Sequence, residues 1–293
     1  MSRPPERHKS ASVRWARLAA GAFLTLSCAP VAPAQEAPAP PASETGAALK
    51  GEEVNLAKEL SNPIAALISV PFQMNLDGAI GPQRDGTRVT TNFQPVVPIA
   101  ISPDWNMISR TVVPIVWQSN IAPGSGTQFG LADTVQSLFF SPSKPGAIIW
   151  GVGPAALIPT GGNSFLSAGK WGAGPTFVAL TQSNGWTAGL LSNQIWSFAG
   201  NSSRPAVNQL YFQPFLSYST KQATTYGVSS EGTYAWKNGQ ISMPVVATIG
   251  QITKIGGQLV SFTAGVKYWA AVTPNSPHGF GGRLVITLLY PRK

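Results

Sequence analysis

A two-residue rhythm that begins near Ile64 and persists almost to the C-terminus constrains this chain more than any other feature. Runs of about eleven residues alternate apolar side chains with polar or small ones, and each ends in a cluster of Gly, Pro, Asn, Ser or Asp. Successive side chains of a strand point to opposite faces, so each run builds a ribbon with one greasy and one wetter side. In the first run Ile68, Val70, Phe72, Met74 and Leu76 share one parity, while Ser69, Gln73, Asn75 and Asp77 share the other. The second sets Thr91, Phe93, Val97, Ile99 and Ile101 against Asn92, Gln94 and Ala100. Similar runs fall near 106–118, 130–141, 147–159, 170–181, 186–198, 207–219, 224–236, 240–253, 258–271 and 280–290, which makes twelve.

Composition decides what such ribbons do. Hydrophobic residues make up 43% of the chain and charged ones only 11%. That is too few charges for an ordinary soluble surface, yet no stretch is apolar enough to span a bilayer as a helix. A soluble β-sandwich would leave rows such as Ile68 to Leu76 exposed to water. The expected fold is therefore all-β: a transmembrane antiparallel up-and-down barrel of about twelve strands in an outer membrane, with lipid on one face and a lumen on the other. An even strand number returns both ends of the barrel to one side.

The connections follow the same plan. Those after even-numbered strands are compact, as at Ser102-Pro103-Asp104, Ser183-Asn184-Gly185 and Thr220-Lys221-Gln222, and suit periplasmic turns. Those after odd-numbered strands are mostly longer and richer in Gly and Ser, as at 78–86, 119–127, 160–169 and 199–206, and would face outward. Lys237-Asn238-Gly239 is a tight exception on the long side. Trp105, Trp117, Trp150, Trp171, Trp186, Trp196, Trp236, Tyr268 and Tyr290 fall near strand ends, where aromatic girdles form. Prolines 71, 95, 98, 114, 154, 175, 214 and 244 lie inside the runs and predict bulges or a pinched wall, because proline cannot donate to the ladder.

The N-terminus reads as an address. Arg3, Arg7, Lys9, Arg14 and Arg17 precede an apolar run from Leu18 to Leu26, and Ala32-Pro33-Ala34 has small residues where a signal peptidase cuts. Residues 1–34 are expected to be a cleaved signal peptide. The only cysteine, Cys28, lies within it, in a stretch (Leu24 to Cys28) with some likeness to a lipoprotein acceptor site but Thr25 where Leu is usual. Removing the leader takes away five basic residues and one acid, so the net charge falls from +9 to +5. The remaining cations are scattered, which excludes a nucleic-acid surface. Residues 35–45 are an Ala/Pro-rich tether. Leu49 to Leu60 should form a short helix ended by Asn62-Pro63, read as a surface helix holding the first strand in preference to a plug or a docking helix. The barrel is expected to occupy 64–293.

The string Leu56 to Gln73 (LAKELSNPIAALISVPFQ), Trp105 to Pro114 (WNMISRTVVP), Gly130 to Pro142 (GLADTVQSLFFSP) and the terminal Leu288-Leu289-Tyr290-Pro291 resemble a family of bacterial outer-membrane transporters. The family is related to the phenol meta-pathway (MetA-type) barrels, and its members are often mislabelled neuromedin U. The resemblance spans nearly the whole chain beyond the leader and implies an outer-membrane barrel that carries small solutes, with no assigned chemistry. Two departures stand out. Ala132 occupies the place of a family Gly before Asp133, and the chain ends Tyr-Pro-Arg-Lys and not on an aromatic, leaving Tyr290 as the aromatic signal to the barrel-assembly machinery.

Catalytic constellations are thin. Beyond the leader His278 is the single histidine, in the 273–279 loop, with no acid or hydroxyl partner fixed by spacing. A lipid-modifying hydrolase would need a serine beside it. One His, no Cys and scattered carboxylates make no metal site, and Gly151-Val152-Gly153 and Gly279 to Gly282 lack the Lys and helix of a phosphate loop. No cofactor is expected. Arg110, Glu231, Lys267 and Arg283 sit on runs with mostly apolar neighbours of opposite parity, so they should point inward. They are read either as a charged constriction selecting anionic or aromatic solutes, or as a salt-bridge network around Glu231 that fills the barrel and passes nothing. A structural or adhesive barrel without flux is the remaining alternative. Lipids and the assembly machinery are the expected partners; solute and oligomeric state are open.

Overall fold

The computed structural model describes residues 44–291. The expected signal peptide, Cys28 and most of the expected tether lie outside the described residues. Helix α1 spans Glu44–Leu60, and fifteen strands follow: β1 Ile68–Ile80, β2 Gly86–Phe93, β3 Val96–Ala100, β4 Trp105–Ser119, β5 Thr127–Leu131, β6 Thr134–Pro142, β7 Ile149–Ile158, β8 Lys170–Ser183, β9 Trp186–Gly200, β10 Asn208–Ser219, β11 Thr224–Ser230, β12 Gly232–Ala235, β13 Gln240–Ile255, β14 Gln258–Ala271 and β15 Gly279–Tyr290.

Three pairs of these strands, β2 with β3, β5 with β6 and β11 with β12, are each one stave interrupted by a short break, so the wall has twelve staves. Every stave pairs antiparallel with its sequence neighbours. The ring closes where β15 meets β1, in register from Ile68↔Tyr290 to Leu76↔Gly282. Among the described residues no helix is long and apolar enough to cross a membrane; a closed ladder is the other way to satisfy backbone polar groups in lipid.

Parity divides the wall as the sequence implies. Phe72, Leu76, Ile115, Phe177, Leu190, Val245, Ile249, Phe262, Leu284 and Ile286 all face outward and are exposed. At the end of the barrel where β1 begins and β15 ends (the terminal end), Trp105 packs edge-on against Trp150 and Trp186 lies against Tyr218. Toward the opposite, far end stand Trp117, Trp171, Trp196, Trp236, Tyr268 and Phe280. From Trp105 to Trp117 one stave rises about 40 Å at about 3.3 Å per residue. Tilted by about 45° it stands roughly 28 Å tall, close to the ~25 Å apolar band of outer-membrane barrels. The turn at 236–239 is short in the structure too, with β12 and β13 ending where the alternation places them, so that hairpin is simply tight.

The N-terminal segment departs from the sequence reading in two ways. The helix begins at Glu44, earlier than Leu49, and residues 64–67 do not belong to the first strand, which starts at Ile68. More consequential is where the segment lies. Leu56 and Ala57 are buried with Ala65, Leu67, Ala223, Ile252, Leu259 and Leu289, so the apolar face of α1 packs inside the terminal-end mouth and is no outer-surface brace. Asn62 then turns the chain, its side-chain oxygen accepting from the Ile64 N–H at 3.0 Å. Ile64 drops into the lumen against Ile108, Phe139, Val178, Leu180 and Leu191. The physical reason is that Ile64, Ala65 and Leu67 extend the helix's apolar set without strand alternation, and inward-facing Ile and Leu side chains offer that set a dry partner.

This parity is directly testable. Phe262→Arg, on the lipid face, should lower stability in lipid vesicles by about 2–4 kcal/mol. Thr263→Arg, one residue on and facing the lumen, should cost less; urea unfolding that ranks the two the other way contradicts the inside-out assignment.

Candidate functional site

The lumen holds the charges that the outer face lacks. On one side β1, β14 and β15 bring together Asp77, Lys267, Trp269, Asn75 and Arg283. Lys267 Nζ lies 2.8 Å from Asp77 Oδ1, with both side chains almost fully buried. The Trp269 indole N–H donates to the same carboxylate at 2.9 Å, and its ring lies 5.2 Å from the ammonium. Glu231 sits in the break between β11 and β12, where the chain leaves the ladder and can reach inward. Arg283 grips it through both terminal nitrogens, at 2.8 and 2.7 Å, and donates from Nε to Asn75 at 2.8 Å. Such a fork fixes geometry as well as charge.

Arg110, on β4, is placed differently. Its NH2 donates to the neutral side-chain oxygen of Gln94 at 2.9 Å. It also lines three cavities. A cavity of about 290 Å³ lies below it, between the end of α1 and the inward faces of β9, β10, β11 and β13. Another of about 250 Å³ lies toward the far end. There Gln73, Asn92, Gln94, Asn193 and Gln209 supply amides, and Val112, Val135, Leu157 and Ile195 an apolar wall, with Tyr211 and Glu231 beside them. A third, of about 150 Å³, separates Arg110 from Glu59, Asn62 and Pro63 of the N-terminal segment.

The far end is partly covered. Arg88 Nε donates to Gln118 at 2.8 Å, and Gln118 in turn donates to Gln128 at 3.1 Å and to the Phe165 carbonyl at 3.4 Å, drawing the 159–169 loop inward. Asp133, in the break between β5 and β6, accepts from the Gly161 and Ala168 N–H groups, at 3.2 and 2.6 Å. That gives the Gly130–Pro142 motif a physical role, since its acid organises the loop. Arg204 adds two bonds, to the Ser164 and Ser167 carbonyls.

Arg110, Glu231, Lys267 and Arg283, the four charged residues singled out from the sequence, thus all turn inward, with Glu231 bonded to Arg283 and lining the far-end cavity together with Arg110. Lys267 and Arg283 are each bonded to an acid, whereas Arg110 has Gln94 as its hydrogen-bond partner and Glu231 beside it in the cavity lining. Asp77 and Asn75 were legible as lumen-facing from parity; that they would partner Lys267 and Arg283 was not, because β1 lies 190 and more residues from β14 and β15 in sequence. Arg88, Gln94 and Trp269 had no signal beyond parity. His278 bonds to none of them: its backbone N–H and its ring nitrogen pair with the carbonyls of Gly78 and Ala79, just beyond Asp77. Among the described residues no group of three or more His, Cys, Asp or Glu side chains gathers as a metal site would require.

No protein-family model matches the chain, and no curated protein matches it in sequence. In three dimensions it is similar to an outer membrane channel from Pseudomonas putida F1, with a TM-score of 0.60 and 15% identity over 76% of this chain and 94% of that one. It also aligns with the calcium-bound outer membrane phospholipase dimer of Salmonella typhi, at TM-score 0.44, 9% identity, and 83% and 98% coverage. An active-site variant of the Escherichia coli phospholipase A gives 0.45, 10%, and 80% and 98%. The channel likeness shows a shared closed-barrel architecture; the phospholipase scores are too low to carry an argument.

The buried pairs should behave asymmetrically. Asp77→Leu alone strands the Lys267 ammonium and should cost about 3–5 kcal/mol in vesicle-based urea unfolding, whereas Asp77→Leu with Lys267→Met should recover most of it. Equal losses in the single and double variants would mean that the pair is solvated.

Proposed function

We propose that this chain is an outer-membrane channel for small solutes, exported by its leader, and that it works without catalysis. The observation that carries this reading is the position of Arg110, a cation that hydrogen-bonds a neutral amide and lines three lumenal cavities. A charge lodged there acts on whatever passes, because the surrounding protein screens it less than water would. Small anions, and aromatic acids whose rings can lie on the Val112–Leu157 wall, suit it best. Lys267 and Arg283, already matched by Asp77 and Glu231, serve as filling around β1, β14 and β15 and leave the route the cavities that Arg110 lines. His278, tied to backbone carbonyls, is placed as a loop anchor.

The N-terminal segment belongs to the same reading. With Leu56, Ala57 and Ile64 seated in the lumen, the terminal-end mouth opens only as far as that segment yields. The fold of the Pseudomonas putida channel supports the proposal at the level of architecture.

Single-channel recording of the full chain in planar bilayers tests it. The wild type should conduct, and Arg110→Gln should lower the anion-to-cation permeability ratio several-fold while leaving heat-modifiable gel migration unchanged. A chain lacking residues 44–63, provided that it retains that migration, should conduct several-fold more than the full chain. Absence of current in the wild type and in the truncated protein would discard the channel.

A further inference from the structure

Two short motifs repeat on adjacent strands: Gly151-Val152-Gly153-Pro154 on β7 and Gly172-Ala173-Gly174-Pro175 on β8. The ladder sets Pro154 directly opposite Pro175. Between β7 and β8 the register is continuous from Ile149↔Leu180 to Leu157↔Gly172, so these two strands and the 159–169 loop form an intact hairpin. Its two outer edges are not intact. Pairing of β6 with β7 passes from Ser137↔Ala155 to Phe140↔Val152 with the two intervening pairs missing. Pairing of β8 with β9 likewise jumps from Ala173↔Trp196 to Thr176↔Asn193.

The cause is local chemistry. Pro154 has no N–H for the Leu138 carbonyl across the first seam, and Pro175 has none for Gln194 across the second. The glycine before each proline is required by the same geometry. A Cβ on Gly153 would meet the Leu138 oxygen, and one on Gly174 the Gln194 oxygen, each at 2.0 Å or less. Both seams therefore lose ladder bonds at one height, mid-wall, where lipid offers no replacement donor. The panel is also thin, since Gly151, Gly153, Ala155, Gly172 and Gly174 put almost nothing inside it. Behind it stands the far-end cavity, whose apolar wall includes Val135 and Leu157 from β6 and β7 and Ile195 from β9. The tip of the hairpin is clasped by Asp133 and Arg204 through the four loop bonds described above.

We infer that the β7–β8 hairpin is a lateral shutter, through which uncharged, largely apolar solutes leave the far-end cavity directly for the hydrocarbon layer. This deepens the channel reading, which supplies the cavity's traffic, and splits it by chemistry: anions continue past Arg110, apolar molecules exit sideways.

The test locks the seams. Ser137 with Ala155 and Thr176 with Asn193 are inward register pairs, directly opposite each other across the two seams. The full chain carrying Cys28→Ser with Ser137→Cys, Ala155→Cys, Thr176→Cys and Asn193→Cys is placed in vesicles with lipopolysaccharide in the outer leaflet. Entry of 1-N-phenylnaphthylamine into the acyl layer is read by fluorescence, and entry of benzoate into the aqueous interior is read in parallel. Oxidation should slow the naphthylamine at least fivefold and reduction should restore it, so each protein is its own folding control; benzoate entry should be unchanged. Unclasping by Asp133→Ala or Arg204→Ala in otherwise unmodified protein should speed naphthylamine entry at least twofold. Naphthylamine entry indifferent to oxidation, or no faster in wild type than in protein-free vesicles, overturns the shutter. Reversible naphthylamine control without any benzoate entry overturns the anion route while leaving the shutter standing.

Discussion

Inside a bilayer every backbone N–H and C=O must find its partner within the protein, and in this chain all the rest follows from that requirement. A strand cannot satisfy itself, so twelve staves must close, and closure is achieved when β15 pairs with β1 over nine consecutive register positions. Once the ring is closed, alternation leaves no freedom about which side chains meet acyl chains. Phe72, Phe262 and Ile286 are exposed because there is no water where they point, and the tryptophans gather at the two heights where an amphipathic ring has something to bond.

Closure creates a second problem, an interior lined with polar groups that must also be satisfied. The protein solves it unevenly. Around β1, β14 and β15 it uses ion pairs and an asparagine. Around β4, β6, β9 and β10 it uses amides and branched apolar side chains that leave space, with Arg110 between the spaces. The N-terminal segment packs apolar side chains, Leu56, Ala57 and Ile64 among them, into the terminal-end mouth. Where prolines break the ladder the wall is only as strong as its neighbours, and Pro154 and Pro175 concentrate that weakness in a single hairpin.

Much of this was written in the sequence because it is governed by a period of two. Strand number, facing, the compact and extended ends and the girdle residues all depend on local alternation and turn chemistry. Asp77, Arg110, Lys267 and Arg283 could be assigned to the lumen for the same reason. Pairing could not, since it depends on which staves become neighbours through closure and on how far a long side chain reaches; Glu231 finds Arg283 only because the break after Ser230 lets it lean inward. The helix was misjudged for a related reason. Its amphipathic face is modest, and nothing in its own residues says whether that face meets lipid, water or a lumen. The short sequel Ile64-Ala65-Ala66-Leu67 held the clue, because it is apolar without alternating and so cannot be wall.

The inside-out division of the wall is best measured on β1, beside the closure. Single nitroxide labels at positions 68–76, in protein reconstituted into lipid vesicles, would report collision rates with oxygen, which concentrates in acyl chains, and with a water-soluble nickel chelate. Oxygen access should peak at Val70, Phe72 and Met74, and nickel access, where it occurs at all, should fall at Ser69, Gln73 and Asn75. A profile without two-residue periodicity, or one with the chelate reaching Phe72 as readily as Gln73, would contradict a lipid-facing closed barrel.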